Sequence, residues 1–201
     1  MREFVLDFKA KWFLYLSIAI IIVVLQCFAL DAATKPGENE RVSVFLTCYS
    51  VDEQLSASIN ESLPEGIRSF DVGSFDPENT FYAPYFTTFG RDADLVALPQ
   101  KFSDMCDCEK YFASLDEKEI TSRFGNVEFF YYNGKAYGIK IFDKNTKTGI
   151  ATDYIQYCRE GQEENIYLFF GLSSRHIGKL SESSIDDAAL VILEKIWQSS
   201  K

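Results

Sequence analysis

Residues 92–99 read Asp-Ala-Asp-Leu-Val-Ala-Leu-Pro. Ala93–Leu98 (ADLVAL) is predicted as a strand, stopped by Pro99 because proline has no N–H to give to a ladder. Its apolar run is unbroken, which suits a strand of a parallel sheet covered on both faces. Toward the N-terminus, Arg41–Tyr49 (RVSVFLTCY) is β-branched, aromatic and apolar over its middle, and predicts another strand. Between the two, Asp52 is placed to cap a helix with the stripe Leu55, Ile59 and Leu63, ended by Pro64 and Gly66. Ser69–Phe75 (SFDVGSF) predicts a second short strand. Asp76–Gly90, with Pro77, Pro84 and many aromatics, reads as an irregular excursion.

Toward the C-terminus, Ser103–Leu115 is weakly helical and Asp116–Phe124 suits a short helix. Asn126–Tyr132 and Lys135–Phe142 read as strands around Asn133-Gly134, a dipeptide that favours a tight type I′ turn. Lys144–Thr148 is a polar loop, Ala151–Tyr157 fits no single pattern, and Ile166–Phe170 (IYLFF) is a last strand. Ser183 is predicted to cap a final helix with Asp186 and Asp187 in its first turn. Ile185, Ala189, Ile192, Leu193 and Ile196 form its expected inner face. This order predicts an α/β, three-layer domain with a largely parallel central sheet, the hairpin adding strands that need not be parallel.

An uncharged run precedes this domain: Trp12–Leu30, WFLYLSIAIIIVVLQCFAL. A helix needs roughly 20 such residues to cross a bilayer core. Arg2, Lys9 and Lys11 lie before the run, so the positive-inside rule places the C-terminal part outside the cytoplasm. Trp12, Phe13 and Tyr15 suit an interfacial aromatic belt. A cleaved signal peptide is the rival reading, with Cys27-Phe28-Ala29 as its small-x-small site. A lipid anchor on Cys27 fits less well, because bulky Gln26 stands where such signals carry a small residue. The expected division is a cytoplasmic N-terminus at 1–11, a transmembrane anchor or signal peptide at 12–30, a linker at 31–40, and an extracytoplasmic domain at 41–201.

The chain carries a net charge of −10. Residues 31–201 hold 17 cations and 28 anions, a net −11. Such acidity repels phosphate backbones and excludes nucleic acid as a partner. Aromatics at 15% are too abundant for a disordered tail.

Three segments resemble one lobe of the bacterial extracellular solute-binding proteins, the type 2 periplasmic-binding fold that serves ABC importers. They are the opening strand and helix, Val42–Leu63; Asp92-Ala-Asp-Leu-Val-Ala-Leu-Pro99; and Tyr132-Asn-Gly-Lys-Ala-Tyr-Gly-Ile139, which looks like the family's segment leading into its hinge. The resemblance covers about residues 41–142 and, more weakly, 166–197. In the family the chain then builds a second lobe and returns. Here only Asp143–Asn165 intervenes, too little for a domain. The resemblance therefore implies a bacterial, cell-membrane, single-pass protein with one open lobe. It would act as a non-catalytic recognition or accessory module for a membrane transporter or sensor. A sugar or peptide binder completed by a partner or by self-association is the alternative.

Ligands of open α/β sheets favour the crevice beyond the carboxyl ends of the strands. Those ends offer Tyr49 and Ser50 after the first strand and Gln100 after the third, and Tyr137 on the hinge-like strand is expected to join them. Cys106-Asp107-Cys108 is the sharpest cluster, and an extracytoplasmic thiol or metal enzyme is a third reading. Zinc sites, however, use two ligand pairs, and no second pair is visible. Cys48, Cys106, Cys108 and Cys158 allow three disulfide pairings or none. No G-x-S-x-G elbow and no glycine-rich phosphate loop is present, so His176 is read as a hydrogen-bonding residue at a strand end. No catalytic residue, metal or cofactor is expected. Asn60-Glu61-Ser62 matches a glycosylation sequon but lies on a predicted helix.

Overall fold

Two apolar patterns organise the chain in the computed structural model, which describes residues 2–76, 78 and 86–199. The first is the N-terminal run. Arg2–Thr34 is one helix, α1, and its Lys11–Leu30 stretch is long and apolar enough to cross a membrane. The helix continues past Leu30 into the expected linker, because Ala32 and Ala33 are good helix formers. It stops ahead of Pro36, which disfavours helical geometry in the residue before it. The chain divides into two compact units, Met1–Gly37 and Glu38–Lys201.

The second pattern builds the sheet. Its strands are β1 (Arg41–Thr47), β3 (Ser69–Phe75), β4 (Leu95–Pro99), β5 (Phe129–Tyr132), β6 (Lys135–Asp143), β7 (Thr148–Gly149) and β9 (Ile166–Phe170). The order is β3-β1-β4-β9-β6-β5, with β7 also on β6. β1 pairs parallel with β3 and β4, while β9 runs antiparallel to both β4 and β6. β5 and β7 are antiparallel to β6. The sheet is therefore mixed: β1, β3, β4 and β6 run one way, and β5, β7 and β9 run the other. A small separate ladder joins β2 (Ser50–Val51) to β8 (Ile155–Gln156), in the segment whose sequence fits no single pattern.

Alternating side chains make two cores. Val42, Val44, Leu46, Leu95, Ala97, Leu168 and Phe170 enter one cluster. Phe45, Val96, Leu98, Tyr167 and Phe169 enter the other. The period of two sends neighbours to opposite faces, so the unbroken apolar runs of β4 and β9 are required by a sheet buried on both sides. The first cluster is covered by α2 (Glu53–Asn60), α5 (Glu117–Phe124) and α6 (Ala188–Ser199), through Leu55, Ile120, Phe124, Leu190 and Ile192. The second is met by two four-residue helices, α3 (Gln100–Ser103) and α4 (Cys108–Tyr111).

Local signals explain most boundaries. Asp52 caps α2 by accepting from the Gln54 N–H at 2.8 Å, and Asp116 caps α5 through Lys118 and Glu119. The β5–β6 turn has positive φ at Asn133 (49°) and Gly134 (78°), as a type I′ turn demands.

Two expectations are corrected. Ser103–Leu115 is not one helix: Asp107, at φ −77° and ψ 87°, breaks it into α3 and α4. The last helix begins at Ala188, not after Ser183. Asp186 takes the capping role, accepting from the Ala188 N–H at 3.0 Å, while the Ser183 hydroxyl donates to the Ser174 carbonyl. Ile185 consequently lies before the helix and is 59% exposed, not on its inner face. Of the predicted excursion Asp76–Gly90, residues 77 and 79–85 lie outside the described residues. Phe86–Gly90 forms a single π-type turn whose Phe86 ring meets Phe45 edge-on at 5.8 Å.

Candidate functional site: a charged cleft at the carboxyl edge of the sheet

Parallel strands all end on one side, and their last residues therefore meet there. Tyr49 beyond β1, Asp76 beyond β3 and Pro99 at the end of β4 line one cleft of about 390 Å³. Its other wall is the charged segment 157–164, ahead of β9. That segment must lie at the edge, because β9 is fully buried and antiparallel to β4, with Ile166 beside Pro99.

The wall is held by ion pairs. The Arg159 guanidinium bonds Asp76 at 2.6 Å, approaches Glu78 at 3.5 Å, and lies 4.8 Å from the centre of the Tyr49 ring. A cation over an aromatic face is attracted by the ring's quadrupole. Burial raises the Asp76 carboxyl, but the Glu78 backbone N–H and the Arg159 guanidinium outweigh it and hold the group below the ordinary carboxylate range. The Lys147 ammonium, 2.6 Å from Glu163, likewise lowers that carboxyl. Lys101 reaches Glu164 at 3.5 Å through Oε1. Glu164 Oε2, shielded from solvent, finds no hydrogen-bond partner among the described residues. A shielded carboxylate oxygen without a donor costs free energy, so a turn of the Glu164 side chain that brings this oxygen to an N–H or O–H in the cleft is favoured.

The structure brings together part of the expected set. Tyr49 lines the cleft and is 44% exposed. Ser50 is exposed on β2 beside it and its hydroxyl approaches the Gln156 side chain at 3.5 Å. Gln100 adjoins the cleft but is tied down: its N–H donates to the Asn165 carbonyl, and its Oε1 accepts from Asn165 Nδ2 at 3.1 Å. Tyr137 does not join them. It is only 3% exposed and packs against Tyr132 in the second core. Its neighbour Gly138 pairs with Phe169, which pairs with Val96, so Tyr137 lies level with Leu95, roughly 13 Å back from the edge at Pro99. Asp76, Lys101, Arg159 and Glu164 were not among the expected residues. For Arg159 and Glu164 the signal was a charged segment directly ahead of a wholly apolar strand, which places those charges at a sheet edge.

Other features of the sequence have structural employment. His176, buried to 1% exposure, contacts Asp186 Oδ1 at 2.8 Å through Nδ1 and the Glu38 carbonyl at 3.2 Å through Nε2. The Ser174 hydroxyl donates to Asp94 at 2.6 Å. Both imidazole nitrogens are thus occupied without a serine hydroxyl. The Asn60 side chain bonds both the N–H and the carbonyl of Phe70, linking α2 to β3, so a glycan on that nitrogen would break the link. All five cysteines are free thiols. Cys48 is pushed up to about 12, chiefly by burial, and burial also raises Cys158. Among the described residues, no group of three or more His, Cys, Asp or Glu side chains is placed to hold a metal ion.

No family model matches the chain, and no curated protein matches it. Among solved structures, a eukaryotic thiaminase-I bound to the thiamin analogue 3-deazathiamin aligns with 51% of this chain, at 17% identity and a TM-score of 0.35. The chain covers 32% of that protein's length. At this similarity the match carries no argument about fold or activity.

Proposed function

We propose that this protein is a membrane-anchored, extracytoplasmic recognition module that is not an enzyme, built like one lobe of a bacterial solute-binding protein. α1 anchors it as a single pass with Arg2, Lys9 and Lys11 on the cytoplasmic side. The outer unit stacks helices on both faces of its sheet in three layers. Its cleft receives a polar segment of a protein partner in the same membrane, a transporter or a sensor. The return of β9 between β4 and β6 supports the lobe reading, since a chain coming back from a second lobe re-enters a sheet in that way.

The observation that carries the recognition reading is the unpartnered Glu164 oxygen beside the exposed Tyr49–Arg159 stack. Together they offer an acceptor, an aromatic face and fixed charges to a peptide backbone. The cleft volume also falls within the roughly 300–1,000 Å³ of small-molecule sites, which favours a sugar or peptide solute as the second reading.

Thermal unfolding of the full-length protein in detergent, against panels of peptides and sugars, tests both. A ligand at 100 times its dissociation constant stabilises by about 2.7 kcal/mol, which moves the midpoint by roughly 5–10 °C. Peptides are expected to produce this shift, and Tyr49→Ala and Glu164→Ala to remove it. A shift with sugars alone would select the second reading. No shift with either class, together with no partner recovered from detergent-solubilised membranes, would overturn the proposal.

A further inference from the structure

Cys106 and Cys108 lie on the opposite face of the sheet from the first core, Cys106 between α3 and α4 and Cys108 at the first position of α4. Asp107 separates them, and its dihedrals of −77° and 87° are close to those of an inverse γ-turn. That turn draws the flanking residues together, toward the Cα separation of about 4.4–6.8 Å that disulfides use. The surroundings of the two sulfurs differ. Cys108 is fully buried, whereas Cys106 is half-buried next to Met105, which is 74% exposed.

We propose that Cys106 and Cys108 are a disulfide-exchanging thiol pair, with Cys106 as the attacking sulfur, Cys108 as the resolving sulfur, and a small-molecule or protein disulfide as substrate. The Cys106 thiolate attacks one sulfur of the incoming disulfide, forms a mixed disulfide and expels the other sulfur as a thiolate. Cys108 gives its proton to the departing substrate thiolate and attacks Cys106. The second substrate sulfur leaves as a thiolate, and the Cys106–Cys108 disulfide remains. Two electrons pass from the pair to the substrate, and the two thiolates take up protons.

Electrostatics agrees with this division of roles. The neighbouring Cys108 thiol lowers Cys106 below an ordinary thiol, against the opposing effects of burial and Asp107. The Cys106 side chain, with burial, raises Cys108. Thiolate character sets the rate of attack, so attack begins at Cys106. Cys48 and Cys158, both raised, are poor competitors. The site is independent of the cleft, and nothing in it rests on the recognition reading.

Oxidised glutathione is the probe, applied to the reduced full-length protein in detergent. After the remaining thiols are alkylated, trypsin releases Phe102–Lys110, a peptide that contains both cysteines and no other. Mass spectrometry is expected to find this peptide short of two hydrogens in the wild type. Cys108→Ser, which keeps a polar side chain beside Cys106, should accumulate glutathione on Cys106. Cys108→Ala should do so severalfold more slowly, and Cys106→Ser should leave Cys108 unmodified. Absence of the intrapeptide disulfide in the wild type, a measurement that needs no variant to fold, would overturn the proposal. So would glutathione on Cys108 of Cys106→Ser at the rate seen for Cys106.

Discussion

Asp94 shows how a buried carboxylate fastens distant segments. It accepts from the Ser43 N–H at 2.7 Å, the Ser43 hydroxyl at 3.0 Å and the Ser174 hydroxyl at 2.6 Å. Asp94→Ala leaves three donors without an acceptor, and urea unfolding should record a loss of about 2–4 kcal/mol. Asp94→Asn keeps one acceptor oxygen and should lose less. Asp76 makes a prediction about pH. Its folded pKa lies below the ordinary value, so the folded state holds the proton less tightly than the unfolded chain does. Its contribution is therefore complete above the unfolded value of about 3.9 and is lost as pH falls through the depressed folded value. Glu163 and Asp143, both lowered by lysine partners, act in the same direction. Arg159→Gln should lower stability near neutral pH and flatten its fall in acid, as read from urea midpoints at about pH 7 and about pH 3.

At the scale of elements, two glycines separate what a sequence reveals from what it conceals. Gly134 occupies a left-handed turn position at φ +78°. Gly134→Ala should cost about 1–2 kcal/mol in chemical denaturation. The Asn-Gly dipeptide announces that need locally. Gly171 does not have a left-handed φ, but an added Cβ would press on the Ala93 carbonyl oxygen, where its own N–H bonds the Asp94 carbonyl. Gly171→Ala should destabilise by about 1–3 kcal/mol or more, and a melting curve checks it. Nothing near residue 171 in the sequence reveals the contact, because its partner lies across the sheet. The same distinction runs through the fold. β3 and β9 match their predicted bounds, and Asp52 and Asp116 cap their helices, since short-range patterns determine both. The start of α6 differs, because the Ser183 hydroxyl is drawn away to the Ser174 carbonyl and Asp186 is left to cap. Tyr49 was legible as a cleft residue from strand direction. Tyr137 was not legible as core, because its depth depends on the register of β6 against β9.

For the whole molecule, separation of Met1–Gly37 from Glu38–Lys201 as compact units predicts independent folding of the second. Residues 38–201 made alone should unfold within about 0.5 kcal/mol of the same domain in the full chain, by urea titration followed with tryptophan fluorescence. Trp197 packs against Phe124 at 5.4 Å and reports on that core. The order of strands also bears on biosynthesis. β9 is among the last strands a ribosome completes, yet it lies mid-sheet and joins β4 to β6. Until Phe170 leaves the exit tunnel, the emerging polypeptide holds two half-sheets, each with a bare apolar margin. α1 is available to the membrane machinery more than a hundred residues earlier. Synthesis thus delivers a chain with a gap at its centre, which stays open until one five-residue strand closes it.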